Sequence, residues 1–377
     1  MKTARLALLL AVLGLIMGLV LSLAGCNAAS APVSQSAIRN YIRNYSGTAS
    51  VGDFLTISIN STAQTITYKN YSNGDQGVLP YTLNTNGTYT IVDPSGNLLA
   101  AYEVPGSVLM IETGKSGPNH NTPALITAIE SEPASISTFA GQSFNYIQFR
   151  TSSGGMGFGT IAVDAQGNIT HDAYWPFGAL QQPPDLFEGG TFLASSIQED
   201  PSGDFFTVTG NGAQSTAFGT QNGFFVVDTA NGTILGLPKA SSSSFNSSHA
   251  GTYAAIFYEK PNAQMQETGE SGTPKQGKAS VTIGATGLAT ITGSKGNILA
   301  SGTLAAVADT LYLYDDTANT LSDPCYGMFT FRTTTANSQQ DVFVSFQGDA
   351  VIFASFQTGL PIQPNGTYTY FYGVGVN

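Results

Sequence analysis

Blocks of β-branched and aromatic residues recur three times in the same order along this chain, and that recurrence narrows the possible folds more than any other feature. Asn40-Tyr41-Ile42-Arg43, followed by Thr56-Ile57-Ser58-Ile59-Asn60, returns as Asn145-Tyr146-Ile147-Gln148 followed by Thr160-Ile161-Ala162-Val163-Asp164. A third copy begins at Thr252-Tyr253-Ala254-Ala255-Ile256-Phe257-Tyr258 and resumes at Ala279-Ser280-Val281-Thr282-Ile283 after a polar insertion. Later blocks also repeat: Tyr89–Val92 with Val108–Thr113, Phe206–Val208 with Phe224–Thr229, and Phe329–Phe331 with Val351–Phe353. Each unit closes on one more apolar run, at Ala124–Ile129, Thr233–Leu237 and Thr367–Tyr372. Self-similarity at a fixed period marks a chain built from copies of one unit.

Within a unit the pattern is antiparallel β. Runs of four to seven Val, Ile, Thr, Phe and Tyr are separated by Gly and Asn. Asn-Gly pairs stand at Asn73-Gly74, Asn86-Gly87, Asn211-Gly212, Asn222-Gly223, Asn231-Gly232 and Asn365-Gly366, where type I′ turns are expected because Asn and Gly tolerate positive φ. The second unit divides into eight strands near 143–149, 158–164, 168–174, 190–197, 203–209, 213–218, 223–228 and 232–237. Ile38, Tyr41, Ile42 and Tyr45 also fit a helical period, but their match to the second unit favours a strand. The expected fold is all-β, with three tandem antiparallel meander modules, each a small barrel or sandwich. A six-bladed β-propeller is the alternative. The expected divisions are 1–25 leader, 26–37 tether, 38–133 first module, 134–244 second and 245–377 third. The body also resembles tandem β-repeats of secreted proteins from Acidobacteria-type soil bacteria, a resemblance that implies the fold and no activity.

The first 25 residues carry an address. Lys2 and Arg5 precede an apolar run from Leu6 to about Leu21, too short to cross a bilayer as a helix and suited to a signal peptide. Leu23-Ala24-Gly25-Cys26 follows and resembles the lipobox of bacterial lipoproteins. The resemblance implies cleavage before Cys26, lipidation of its thiol with acyl chains that hold the protein to a membrane, and a place in the cell envelope. Asn27, where an Asp would favour the inner membrane in that family, points to the outer membrane. Loss of Lys2 and Arg5 with the leader takes the formal net charge from −11 to −13. Nucleic acid is not an expected partner, since its recognition needs clustered Lys and Arg.

Catalytic patterns are mostly missing. His120, His171 and His249 form no HExxH or HxH pattern, and no Gly-x-Ser-x-Gly elbow occurs. Gly114-Lys115-Ser116 imitates the end of a P-loop, but Leu109 stands where that motif needs Gly. No metal or other cofactor is expected. Glu188, Glu199, Asp200, Asp315 and Asp316 are carboxylates without a defining pattern, and a glycosidase pair is set by distance in space. Cys325 has no partner once Cys26 is lipidated, and the expected role is a small buried residue. The most distinctive segment is His171-Asp172-Ala173-Tyr174-Trp175-Pro176-Phe177, which holds the only Trp and is expected between strands. His171, Asp172, Tyr174, Trp175 and Phe177 form a candidate ligand-binding face, since exposed aromatics stack on sugars or anchor proteins. A hydrophobic plug is the competing reading. The chain is therefore expected to be a lipid-anchored surface protein with a non-catalytic binding or display role toward a glycan or protein. A carbohydrate-active enzyme and a carrier of small apolar ligands remain alternatives.

Overall fold

The computed structural model describes residues 42–85, 88–104, 108–116, 122–150, 157–176, 185–188, 196–210, 213–221, 223–229, 232–242, 244–261, 275–293, 296–307, 325–335, 338–348, 350–356 and 369–377. The expected leader, lipobox and tether lie outside them, as do Ile38 to Tyr41. Residues Ile42–Asn377 form one compact unit.

The first sheet runs β1 (Ile42–Ala49), β2 (Asp53–Asn60), β3 (Thr65–Asn70), β4 (Gln76–Leu83), β5 (Tyr89–Val92), β6 (Leu98–Val104), β7 (Val108–Ser116) and β8 (Thr122–Glu130). Consecutive strands pair antiparallel, and β8 returns to β1 with Gly47 opposite Ala128, so the sheet closes into an eight-stranded barrel. A propeller blade is an open four-stranded sheet, so this closure, with the two nine-stranded sheets that follow, replaces the propeller alternative with one closed barrel and two barrel-like sheets.

The second sheet comprises β9 (Ser143–Arg150), β10 (Gly157–Val163), β11 (Ile169–Pro176), β12 (Asp185–Glu188), β13 (Ser196–Glu199), β14 (Phe206–Gly210), β15 (Ala213–Gly219), β16 (Phe225–Thr229) and β17 (Gly232–Pro238). Its strand order is β12-β11-β10-β9-β17-β16-β15-β14-β13. A bridge between Asn168 and Ser196 and a 2.8 Å hydrogen bond from Ile197 N–H to Gly167 O draw the two sides together. Seven of the eight strands read from the sequence match closely. The short β12, in a Gly- and Pro-flanked stretch, was not expected.

The third sheet holds β18 (Gly251–Pro261), β19 (Lys275–Ile283), β20 (Leu288–Gly293), β21 (Ile298–Thr303), β22 (Ala305–Ala306), β23 (Met328–Thr335), β24 (Ser338–Gln347), β25 (Ala350–Phe356) and β26 (Thr369–Val376). Its order, β21-β20-β19-β18-β26-β25-β24-β23-β22, matches that of the second. One packing device recurs in both. Phe225 on β16 lies opposite Gly236 on β17, and Phe353 on β25 lies opposite Gly373 on β26. A Cβ on either glycine would meet the facing ring at 1.9 and 2.4 Å. Each ring covers a strand that has no side chain of its own at that point.

Of the six Asn-Gly pairs only Asn73-Gly74 lies wholly among the described residues, and it departs from the type I′ expectation in the way that two turns led by Asp also show. In Asp164-Ala165-Gln166-Gly167-Asn168 the Asp164 carboxylate accepts the N–H groups of Gln166 and Asn168, and only Gly167 takes positive φ, at 87°. Asp93 to Asn97 repeats this arrangement, with Gly96 at 82°. At Asn73-Gly74 the positive φ again falls on the glycine alone. The side-chain bonds of the leading Asp or Asn stabilise a longer turn with one left-handed residue, in place of two.

The three sheets share a core. On β16, Phe225 and Val227 point into their own barrel, while Val226 and the preceding Phe224 join a cluster between barrels. On β25, Val351 and Phe353 point inward and Ile352 and Ala354 outward into that same cluster. Leu125 and Ile129 on β8 complete it from the first barrel. Strands buried on both faces read as continuous apolar runs, which explains Val108–Ile111, Phe224–Val227 and Val351–Ala354. Cys325 lies in this common core, fully buried.

Candidate functional site: the barrel lumens

Alternation along the strands gives the first barrel two different ends. On β5 the inward positions run Tyr89, Ile91, Asp93, and on β6 they run back from Glu103 through Ala101 to Leu99. The end holding Tyr89 and Glu103 is sealed. Arg43 grips Glu103 through Nε at 2.5 Å and Nη2 at 2.8 Å, and Arg43 Nη1 donates to Ser61 at 2.8 Å. The hydroxyls of Tyr45 and Tyr89 also donate to the Glu103 carboxylate. Tyr81 meets the Tyr89 ring edge-on at 4.8 Å. The Glu103 side chain has no exposed surface. Burial first, then the Glu103 carboxylate, holds the Tyr89 phenol well above its ordinary pKa, so the plug is a closed network of one acid, one base and two phenols.

The other end is open. A cavity of about 260 Å³ is walled by Leu55, Ile57, Ile66, Leu79, Ile91, Leu99, Ile111 and Ile126. Tyr68, Asn70, Asp75, Asp93 and Glu112 add polar atoms to its lining. Asp93 is already bound by its own turn, through Ser95 N–H, Asn97 N–H and the Asn97 amide. Glu112 accepts the Ala100 N–H at 2.9 Å, and burial raises its pKa although that bond and Lys278 pull the other way. The arrangement is an apolar chamber with acceptor groups in its wall, suited to holding a small molecule.

The second barrel repeats the plan with different chemistry. Phe139, Phe144, Phe206 and Phe225 pack edge to face or tilted, with centroids 4.9 to 5.6 Å apart, and fill one end. Moving away from that plug, β9 presents Phe144, Tyr146, Gln148 and β16 presents Phe225, Val227, Thr229. All of these but Phe144 line a second cavity of about 260 Å³. In the third barrel Phe257, Phe329, Phe331, Phe346, Phe353 and Phe371 occupy the interior.

No family model matches this chain, and no curated protein does. Among solved structures, two crystal structures of variants of transferrin binding protein B, a vaccine antigen from Haemophilus parasuis Hp5, align over 89% of this chain and 76% of theirs. Identity is 8% and the TM-score 0.26 in both.

The residues singled out by sequence are placed as follows. His171, Asp172, Tyr174 and Trp175 do not lie between strands: they continue β11, with Trp175 opposite Phe158 and Tyr174 opposite Gly159. Phe177 lies outside the described residues, as do Asp315 and Asp316. Glu199 accepts the Ile136 N–H across the second barrel, and Asp200 accepts the Ser202 N–H in its own turn. Cys325 sits near Lys239. Burial pushes its thiol up to about 12 despite that lysine, so it is no thiolate nucleophile at neutral pH. Among the described residues no three His, Cys, Asp or Glu side chains gather as a metal site. The Arg43–Glu103 plug and the lumen-facing Thr229 were missed by sequence reading. Period-2 alternation from Phe225 would have placed Thr229 inside.

Proposed function

We propose that this chain is a non-catalytic binding protein of the bacterial envelope, held to the membrane by acyl chains on Cys26, and that the open end of its first barrel takes up a small, largely apolar ligand. The carrier reading is preferred because a closed eight-stranded barrel holds a single small molecule when its interior is not filled by side chains, and this interior keeps about 260 Å³ behind a sealed far end. An apolar cavity of about 150 Å³ accepts benzene, so this one suits about ten non-hydrogen atoms. Acceptor groups in its wall favour a ligand whose polar end donates hydrogen bonds, such as a primary amine.

The test is a titration of residues 37–377, isoleucine-methyl labelled, with octylamine. The Ile57, Ile66, Ile91, Ile111 and Ile126 methyl signals are expected to shift together and saturate. Unmoved signals up to the solubility limit would refute the carrier reading.

A second reading keeps the glycan or protein partner and moves it to another surface. Tyr71 is 46% exposed, stacks on Phe54 at 5.1 Å with rings 4° apart, and carries the Lys69 ammonium 4.3 Å from its centroid. A flat ring beside a cation is a platform for a sugar or an aromatic side chain. Tyr71→Ala abolishing binding in a glycan array would favour this surface.

A further inference from the structure

The polar groups at the mouth of the first barrel are not equivalent. Asp93 commits both carboxylate oxygens to its own turn. Asn70 gives its amide to Asp53 and its carbonyl oxygen to Ser72 and Asn73, and Asp75 is engaged elsewhere. Glu112 differs. The β6–β7 ladder ends at Ala101 opposite Ile111, and one step beyond it Glu112 Oε2 accepts the Ala100 N–H at 2.9 Å. The carboxylate thus replaces a ladder bond and stands in the barrel wall, where Glu112 lines the cavity. Among the described residues nothing donates to its Oε1, and this oxygen is not one of the sealed polar atoms of the interior, so it keeps accessible surface. Two other titratable side chains feel its charge: Tyr102 on β6 and Lys278 on β19 of the third barrel. Lys278 does not line the cavity, and among the described residues no direct ion pair joins it to Glu112.

We infer that Glu112 is the specificity-determining residue of the first barrel: its Oε1 pairs with the ammonium of an alkylamine cation whose chain fills the apolar chamber, and Lys278 weakens that pairing from outside the lumen. This rests on the carrier reading and adds to it the charge of the ligand and the residue that reads it. No Lys, Arg or His lines the cavity, so an anionic head group would meet carboxylates and no opposite charge. A neutral alcohol can donate one hydrogen bond to Oε1, but a bond from an ammonium to a carboxylate is roughly twice as strong as a neutral one. A second charge on the ligand would lie among Ile57, Ile66, Ile91 and Leu79, away from any partner, at high cost. One cationic end and one hydrocarbon chain therefore match one unengaged carboxylate oxygen and an aliphatic wall. An ammonium beside Glu112 also favours its ionised form, against the burial that favours the proton.

The probes are octylamine and 1-octanol, which share a chain and differ in head group, titrated at pH 8 into the same isoleucine-methyl-labelled 37–377 protein. Octylamine is expected to bind the more tightly. Glu112→Gln keeps an oxygen for the Ala100 N–H and loses the charge. It should weaken octylamine about tenfold, the worth of a hydrogen bond to a charged group, and leave octanol nearly unchanged. Lys278→Met removes the competing positive charge and keeps an unbranched side chain. It should tighten octylamine about threefold and again leave octanol unchanged. A purely structural role for either residue would move the two probes together. The inference is overturned if octanol binds as tightly as octylamine, if Glu112→Gln affects both probes alike, or if Lys278→Met leaves octylamine unchanged. Saturating shifts in any of these cases would leave the carrier reading standing, whereas isoleucine signals unmoved by either probe would overturn both.

Discussion

Asp228 is the residue whose substitution tests the inter-barrel contact most sharply. It stands on β16 of the second barrel and reaches the first, where Thr48 Oγ1 donates to its Oδ1 at 3.1 Å. Asp53, held by the side-chain amides of Asn70 and Asn73, adds a like charge nearby. Burial first, then the Asp53 charge, lift the Asp228 carboxyl from 3.8 to about 7, against the Thr48 bond. A raised carboxylate pKa works against stability as pH increases. Below about pH 4 folded and unfolded chains both carry the proton and the group contributes nothing. Between about 4 and 7 the unfolded chain releases it while the folded chain keeps it, so stability falls. Above 7 the ionised carboxylate burdens the folded state in full. At about 1.4 kcal/mol per pH unit a gap of roughly three units gives about 4 kcal/mol, which water at the edge of the contact trims toward about 2. Asp228→Asn still accepts from Thr48 but cannot ionise. It should therefore be more stable than the parent by about 2 to 4 kcal/mol at pH 8, with little difference at pH 4. Urea unfolding of both proteins at the two pH values measures this, and the comparison cancels the titration of every other carboxylate. An equal difference at pH 4 and pH 8 would show that Asp228 is not held protonated between the barrels.

Three further outcomes follow from packing and the leader. Glu103→Gln leaves Arg43 buried in the sealed end without its counter-charge, and should lower stability by about 3 kcal/mol in the same unfolding assay. Gly236→Ala and Gly373→Ala each drive a methyl into a facing Phe ring, and each should cost about 3 kcal/mol, seen as a lower thermal midpoint; Gly74→Ala, with open space around its Cβ, should cost clearly less. Cys26→Ser should move the protein from the membrane pellet to the soluble fraction, and persistence in the pellet would refute the lipid anchor.

Much of the fold was legible because strands carry their signal locally. Thr56 to Asn60 and Thr160 to Val163 alternate or run apolar in ways that only a pleated strand satisfies, and the order of blocks exposed the repetition. Barrel closure was less legible. Gly47 opposite Ala128 joins residues 81 positions apart, and nothing near Gly47 announces its partner. The short β12 was hidden because Asp185–Glu188 pairs with β11 through backbone bonds that need no particular side chain. The turn type was misread at Asn73-Gly74 for a local reason: Asn70 Oδ1 captures the N–H groups of Ser72 and Asn73, and a side-chain acceptor three residues upstream outweighs the dipeptide's own preference.

The candidate sites were harder to read, because a barrel lumen is written one residue from each strand. Phe225, Val227 and Thr229 alternate correctly, yet the sequence does not show whether opposing strands bring bulk or space to the same level. At the plugged end of the second barrel they bring Phe139, Phe144 and Phe206, and the ring edges close it. At the level of Thr229 they bring Gly210, Ala213 and Ser215, and space remains. The contrast is visible within one strand: β14 passes from Phe206 to Gly210. A sequence under selection for packing alone has no reason to leave space at one end, since unfilled volume costs stability in proportion to its size. Retaining small residues together at one end of the barrel leaves volume that costs the fold stability, which a bound guest would restore.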